Sequence, residues 1–233
     1  MDIKPLASGS SGNAYLISDG QTSILIECGI PYSELQRLSD FKIPTLDGCL
    51  ISHSHGDHAC SVKYVLSAGV DCYMSKETAV ELGVEKHHRC KIVNHMDGFH
   101  IGSLTVRPLE MEHDVYCLGF LIWSNYTNET LFFATDTYHI KYIIPDCEYI
   151  MIETNYDLDI LHKRIDSGEV NESAKHRLVK SHQSIDTALL WLKRCDLTKT
   201  KRIYLLHLSD GSSNESEFKR RVVEETGVQT IVC

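Results

Sequence analysis

The amino-acid sequence predicts an α+β chain in which two sheets pack together and carry helices on their outer faces. Three observations point there. Short apolar runs bounded by Gly, Ser or Asp fill the first third and return near the middle of the chain. Apolar residues at three-and-four spacing mark helices between them. In the final third strands and helices alternate, so two strand-rich blocks are each followed by helices. With 42% hydrophobic content over 233 residues, the chain can fill the core of one domain or of two small ones.

Taken in order, 14–17, 23–28 and 49–52 read as strands, because each is an apolar run of strand length closed by turn residues. Helical spacing appears at 32–38, 60–68 and 76–82, the second placing Val62, Val65 and Leu66 on one face. Strand-like runs follow at 104–109, 118–123 and 131–134. The last third reads as strand 149–152, helices 159–165, 172–180 and 184–194, strand 202–206, helix 215–226 and strand 229–232. No repeat period and no low-complexity linker interrupts this order.

Composition narrows the function classes. The apolar runs fall far short of the roughly 18 residues of a membrane-spanning helix, so no membrane partner is expected. The N-terminus lacks a secretory pattern, and the nine cysteines are odd in number, scattered and never spaced C-x-x-C. That usage predicts free thiols and a cytoplasmic location. Formal charge is −9, yet residues 162–202 carry ten Lys or Arg against five acids. Such polarity suits either a basic face for phosphates or a pair of solvated helix surfaces.

The densest chemistry is His53-Ser54-His55-Gly56-Asp57-His58, directly after the apolar run 49–52. Imidazole and carboxylate are ligands for Zn²⁺, Mn²⁺ or Fe. In an extended loop residues 53 and 55 point one way, while 57 and 58 can turn to a second point, so one loop can serve two metals. Further ligand types stand where apolar runs end: His113, Asp136 and His207. Strand exits are where loops gather, which suits a site assembled from distant segments. These residues supply an arrangement of His53, His55 and His113 on one metal, Asp57, His58 and His207 on the other, and Asp136 as a bridge.

With these motifs in this order, the sequence resembles the metallo-β-lactamase superfamily over nearly its whole length. The branch it resembles most is the YycJ-type group of single-domain exonucleases and phosphodiesterases, through Ala7-Ser8-Gly9-Ser10-Ser11-Gly12-Asn13, Glu153-Thr154-Asn155-Tyr156-Asp157 and Ser181-His182-Gln183-Ser184. The resemblance implies a single domain over 1–233, an αββα four-layer sandwich, and two divalent metal ions at its edge, Zn²⁺ first, with Mn²⁺ or Fe also suited. It implies hydrolysis of phosphodiester bonds by a metal-bridging hydroxide, with Asp57 and His182 as catalytic residues and DNA, RNA or a small phosphodiester as substrate. Three positions depart from the family pattern: Glu27 stands for the usual Asp, Thr137 and Tyr138 follow Asp136 where Gly is common, and Tyr156 replaces a frequent His. The longer Glu27 can still orient a metal-binding His.

Other readings stay open at this level. The segment 8–12 suits a tight turn or a phosphate cradle. His182 precedes a helix capped by Ser181 or Ser184, and is either a proton donor to a leaving group or a surface histidine. The scaffold also serves a glyoxalase II-like thioesterase. A third class of reading is a metal-binding accessory protein that uses the basic 162–202 segment to hold nucleic acid or a partner without catalysis. His87, His88, His95, His100, His139, His162 and His176 lack a spacing that recommends them.

Overall fold

The structure, a computed structural model, describes residues 1–233 apart from the side chain at 174. It is a mixed α/β chain whose strands form two sheets, as the sequence predicts. Residue contacts divide the chain into two compact units, Met1–Glu110 with Val115–Glu129, and Met111–Asp114 with Thr130–Cys233.

The first unit contains β1 (Asp2–Ala7), β2 (Ala14–Ser18), β3 (Ser23–Ile26), α1 (Tyr32–Leu38), β4 (Gly48–Leu50), α2 (Gly56–Ala59), α3 (Val62–Ser67), β5 (Cys72–Met74), α4 (Lys76–Glu81) and β6 (Cys90–Ile92). Their strands form a six-stranded sheet in the order β1-β2-β3-β4-β5-β6. The first three are antiparallel and β3 to β6 are parallel. Parallel neighbours need crossovers, and α1, α3 and α4 supply them. Val62, Val65 and Leu66 of α3 are buried in the core with Leu25, Cys49 and Ile51, as their spacing predicts. The unit also holds β7 (Phe99–Ile101), the bulk of β8 (Leu104–Met111) and β9 (Cys117–Ser124), with β7 antiparallel to β8.

Several elements differ from expectation. The sequence reading has no strand at β1, whose Pro5 adjoins a register irregularity on the edge of the sheet, a place that tolerates proline. β5, β6 and β7 have three residues each, too few to show alternation. The strand expected over 23–28 stops at Ile26, since Glu27 takes a left-handed backbone with φ 62°. The helix expected over 60–68 is the shorter α3, preceded by the separate turn of α2.

The second unit contains β10 (Thr130–Ala134), β11 (Tyr149–Glu153), α5 (Leu158–Asp166), α6 (Glu172–Ser181), α7 (Ile185–Leu192), β12 (Arg202–Leu206), α8 (Glu215–Thr226) and β13 (Gln229–Val232). Its four strands run parallel in the order β13-β12-β11-β10. Every residue of β10 and β11 is buried, which explains the apolar runs Leu131–Ala134 and Tyr149–Ile152 within them. Trp191 of α7 stacks on Phe132 with ring centroids 5.4 Å apart and donates its indole N–H to the Tyr142 carbonyl at 2.8 Å. The cap of α7 is Ser184, whose hydroxyl accepts from Thr187 N. Among the described residues no helix is long and apolar enough to cross a membrane.

Candidate metal centre

In the first unit, β3 and β4 are parallel neighbours, so the segments leaving both emerge at one sheet edge. Residues 53–58 follow β4 there. The rings of His53 and His55 lie 4.6 Å apart between centroids, and those of His53 and His58 4.2 Å apart. Asp57 Oδ2 is 3.3 Å from His58 Nε2. Residues 53, 55, 57 and 58 are therefore brought together, with Asp57 and His58 on the helical turn α2 and not in the extended loop that the spacing suggests. The loop is held from below: Asn13 N donates to the Asp57 carbonyl at 2.8 Å, and Cys28 N donates to the His58 carbonyl at 2.8 Å. Gly29 passes so close that an added Cβ would stand 1.7 Å from the Asp57 carbonyl oxygen, which only glycine permits.

In the second unit the parallel register pairs Ala134 with Ile152 and Glu153 with Leu206. Asp136, Glu153 and His207 consequently leave three adjacent strands at the same carboxyl edge, where ligands of parallel sheets collect. His207 Nδ1 is 3.3 Å from Asp136 Oδ1 and 2.9 Å from Glu153 Oε1. His113, past the end of β8, places Nε2 3.8 Å from Asp136 Oδ2. His182, between α6 and α7, directs Nδ1 at Glu153 Oε1 at 2.6 Å and lies 3.9 Å from Asp136 Oδ2. Ligand atoms of Asp136, Glu153, His182 and His207 all fall within 4.8 Å of one another, a spacing that could hold a cation.

The chemistry of the donor set fits metal binding. A metal-ligating histidine is normally fixed through its other ring nitrogen. Here His53 Nδ1 meets Ser52 Oγ at 2.8 Å, His113 Nδ1 donates to the Ser181 carbonyl at 2.9 Å, His207 Nδ1 meets Glu153, and His58 Nδ1 faces Glu27 Oε2 at 3.7 Å. In the first three Nε2 is the nitrogen turned toward the other candidate ligands, whereas the 3.7 Å to Glu27 is an electrostatic approach and His58 Nε2 stands 3.2 Å from Asn13 Nδ2. Burial, opposed by the nearby Asp136 and Asp114 carboxylates, lowers the His113 pKa and keeps its imidazole in the neutral form a metal needs. Burial pushes the Glu27 carboxyl up. At Glu153 burial acts the same way, but the His182 charge and hydrogen bonds from His182 and His207 outweigh it and hold the carboxyl below its ordinary value. Burial likewise lowers His182, and the Glu153 carboxylate overrides it, leaving the imidazole raised.

Sequence reasoning missed the orienting roles of Glu153, Ser52 and Asn13. Glu153 Oε2 also accepts from Thr137 N at 3.0 Å and Gln183 N at 3.3 Å, so one buried carboxylate ties three other chain segments to its strand. Its signal was present: a lone acid closing the apolar run Tyr149–Glu153, at a strand end as Asp136 and His207 are just beyond theirs. Backbone conformation marks the same places, with φ 62° at Glu27, 44° at Asp136 and 53° at His207, each just past a strand. The basic segment is less uniform than its charge count suggests. Arg164, Lys175, Lys193 and Lys199 face Glu169, Glu172, Glu225 and Asp146 at 3.1, 3.7, 3.1 and 3.6 Å. Arg177 and Lys180 of α6 are exposed.

Residues 7–120 match the sequence model of the Metallo-beta-lactamase superfamily. The solved structure of the metallo-β-lactamase fold protein YhfI from Bacillus subtilis superposes with a TM-score of 0.77, covering 99% of this chain and 95% of that one at 16% identity. The chain is thus a metallo-β-lactamase-fold protein. Among curated proteins it is similar to the exodeoxyribonuclease WalJ of Streptococcus pneumoniae, 27% identical over 220 residues, which cover 88% of this chain and 80% of WalJ. It is equally similar to the exodeoxyribonuclease YycJ of Bacillus anthracis, 27% identical over 241 residues, 95% of this chain and 89% of YycJ.

Proposed function

We propose that this chain is a metal-dependent hydrolase of phosphodiester bonds, a DNA exonuclease in type, acting as a single metallo-β-lactamase-like domain over residues 1–233. The observation that carries this reading is the set of three histidines, His53, His113 and His207, fixed at Nδ1, which directs Nε2 toward the other candidate ligands. In this proposal His53, His55 and His113 hold one divalent cation, Asp57, His58 and His207 hold a second, and Asp136 serves both. The nitrogen and oxygen donors suit Zn²⁺ first, and Mn²⁺ or Fe as well. Two such cations would supply Lewis acidity, an activated water, and charge for an in-line displacement at phosphorus.

The chain's own groups do the rest. Glu153 holds His207 and His182 together through one oxygen, 2.9 and 2.6 Å from their Nδ1 atoms. Because Nδ1 of His182 is engaged, its Nε2 is the atom that would give a proton to the leaving oxygen. Asp57 positions His58 and contributes a carboxylate to the loop. Arg177 and Lys180 offer exposed cations to a polyanion on the same helix. Similarity to two exodeoxyribonucleases supports DNA over a thioester as substrate. Nine free cysteines support a reducing, cytoplasmic setting.

The test is turnover with added Zn²⁺ or Mn²⁺ of single-stranded DNA, bis(p-nitrophenyl) phosphate and a glutathione thioester, side by side. Phosphodiester cleavage should dominate, and the rate on DNA should fall with salt. A metal-loaded protein that cleaves no phosphodiester overturns the proposal in favour of an accessory role; thioester turnover alone would favour the glyoxalase II-like reading.

A further inference from the structure

A cleft of about 560 Å³ opens in the second unit, lined by His113, Asp114, Tyr138, Val179 and Lys180. Its volume lies within the ~300–1,000 Å³ typical of small-ligand sites. One wall is His113, a ligand in the proposed metal centre; the others combine an aromatic ring, an aliphatic side chain and a cation. Tyr138 is 42% exposed and Val179 38% exposed, so two apolar surfaces face the same opening.

Tyr138 is held at both ends. Its N–H donates to the Glu112 carbonyl at 3.1 Å, and its hydroxyl donates to Glu112 Oε2 at 2.9 Å. Lys141 Nζ lies 3.6 Å from the other oxygen of that carboxylate. A ring pinned through backbone and hydroxyl presents its face at little cost in rotamer freedom. Thr137 beneath it is fixed as well, its hydroxyl accepting from Glu112 N at 3.1 Å and donating to the His139 carbonyl at 2.9 Å. The ring stands two residues beyond Asp136. Asp114 brings negative charge to the cleft, but its Oδ1 sits 3.0 Å from His113 Nε2, while Lys180 is exposed at the end of α6.

We infer that Tyr138 is a nucleobase platform: the base of the nucleotide adjoining the scissile phosphate stacks on its ring beside Val179, and Lys180 receives a neighbouring phosphate. This rests on the phosphodiesterase reading and names the part of the substrate that the cleft takes. Every base has a π-face, so such a platform gives affinity with little sequence preference, as a non-specific exonuclease requires. Tyr138 is a positioning residue here, and the bond cleaved is the one that the metal centre addresses.

The holoenzyme tests it in two ways. In steady state, Tyr138→Ala should raise KM for a single-stranded oligonucleotide about 10-fold relative to its effect on methyl p-nitrophenyl phosphate, in line with measured base–aromatic stacking. Tyr138→Phe and Tyr138→Trp, which keep a ring, should restore KM to within about 3-fold. An oligonucleotide with an abasic residue at its cleavable end should lose the same factor on the unaltered enzyme and nothing further on Tyr138→Ala. At equilibrium, a phosphorothioate oligonucleotide with 2-aminopurine at that end should be quenched on binding, and the quench should vanish in Tyr138→Ala. Equal sensitivity of intact and abasic ends to the substitution, or a quench that survives it, overturns the platform. If the enzyme cleaves no DNA at all, the functional reading fails while the fluorescence still decides whether a base stacks on Tyr138.

Discussion

The candidate ligands of the two units are assembled by opposite strategies. In the first unit four candidate ligands fall within six consecutive positions, and the one segment leaving β4 and entering α2 brings them together, locked by Asn13, Cys28 and Gly29. In the second unit the groups come from the ends of β8, β10, β11 and β12 and from the α6–α7 junction, and no two share a loop. A contiguous loop needs only local clamps. A dispersed set needs a common anchor, and Glu153 is that anchor, touching His182, His207, Thr137 and Gln183. Damage to the loop should therefore act ligand by ligand, whereas damage to Glu153 should spread to every group it holds.

The sharpest break of this contrast is Asp136→Ala. As the shared carboxylate it should lose most of both metals, read by elemental analysis, and lower activity by more than the ~10- to 100-fold typical of groups that merely orient a ligand. His113→Ala should deplete one site only. Next in size, His182→Ala should cut kcat on DNA by about 10²- to 10⁴-fold with metal content unchanged, and by less on a p-nitrophenyl ester, whose leaving group needs little protonation. Metal loss in that variant would instead make His182 a ligand, an arrangement its place in the Asp136, Glu153 and His207 cluster also permits.

A smaller effect compares the two anchors directly. Glu153→Gln should cost roughly 10- to 100-fold in metal affinity, measured by chelator competition, because two histidines lose their carboxylate and the one amide oxygen cannot accept from all four donors. Glu27→Gln should cost less, since Glu27 faces one histidine at 3.7 Å. An equal loss in both would dissolve the distinction between the halves.

The smallest expected effect concerns stability alone. Asp19 is 5% exposed; burial pushes its carboxyl up, but hydrogen bonds from Ser103, Ser124, Thr22 and Gln21 outweigh this and bring it down to about 2. A folded value below the unfolded one stabilises above about pH 4 and is lost as pH falls toward 2, so Asp19→Asn should cost about 2 kcal/mol at pH 7. In urea titrations the gap from the unaltered protein should close between pH 4 and 2, with activity at neutral pH retained.

How much of this was legible follows from the same contrast. The 53–58 cluster could be read because its ligands are neighbours in sequence, and the long strands and amphipathic α3 could be read because their periodicity outlasts one turn or pleat. His113, Asp136 and His207 were visible as polar residues ending apolar runs. Their anchors were not, because a hydrogen bond from His113 to the Ser181 carbonyl spans 68 positions and leaves no local pattern. The three-residue strands escaped for lack of length. The charge count over 162–202 could not foresee which cations would meet an acid after folding.

The left-handed backbones at Glu27, Asp136 and His207 set a limit on how this protein can be improved. Each holds a side-chained residue in a conformation that glycine adopts freely and that costs others of order 1–3 kcal/mol. A laboratory selection for heat resistance alone should therefore drift toward glycine or asparagine at 136 and 207 and harvest robust, inert proteins. A selection that also demands turnover should leave those two positions untouched and find its gains on the surface helices.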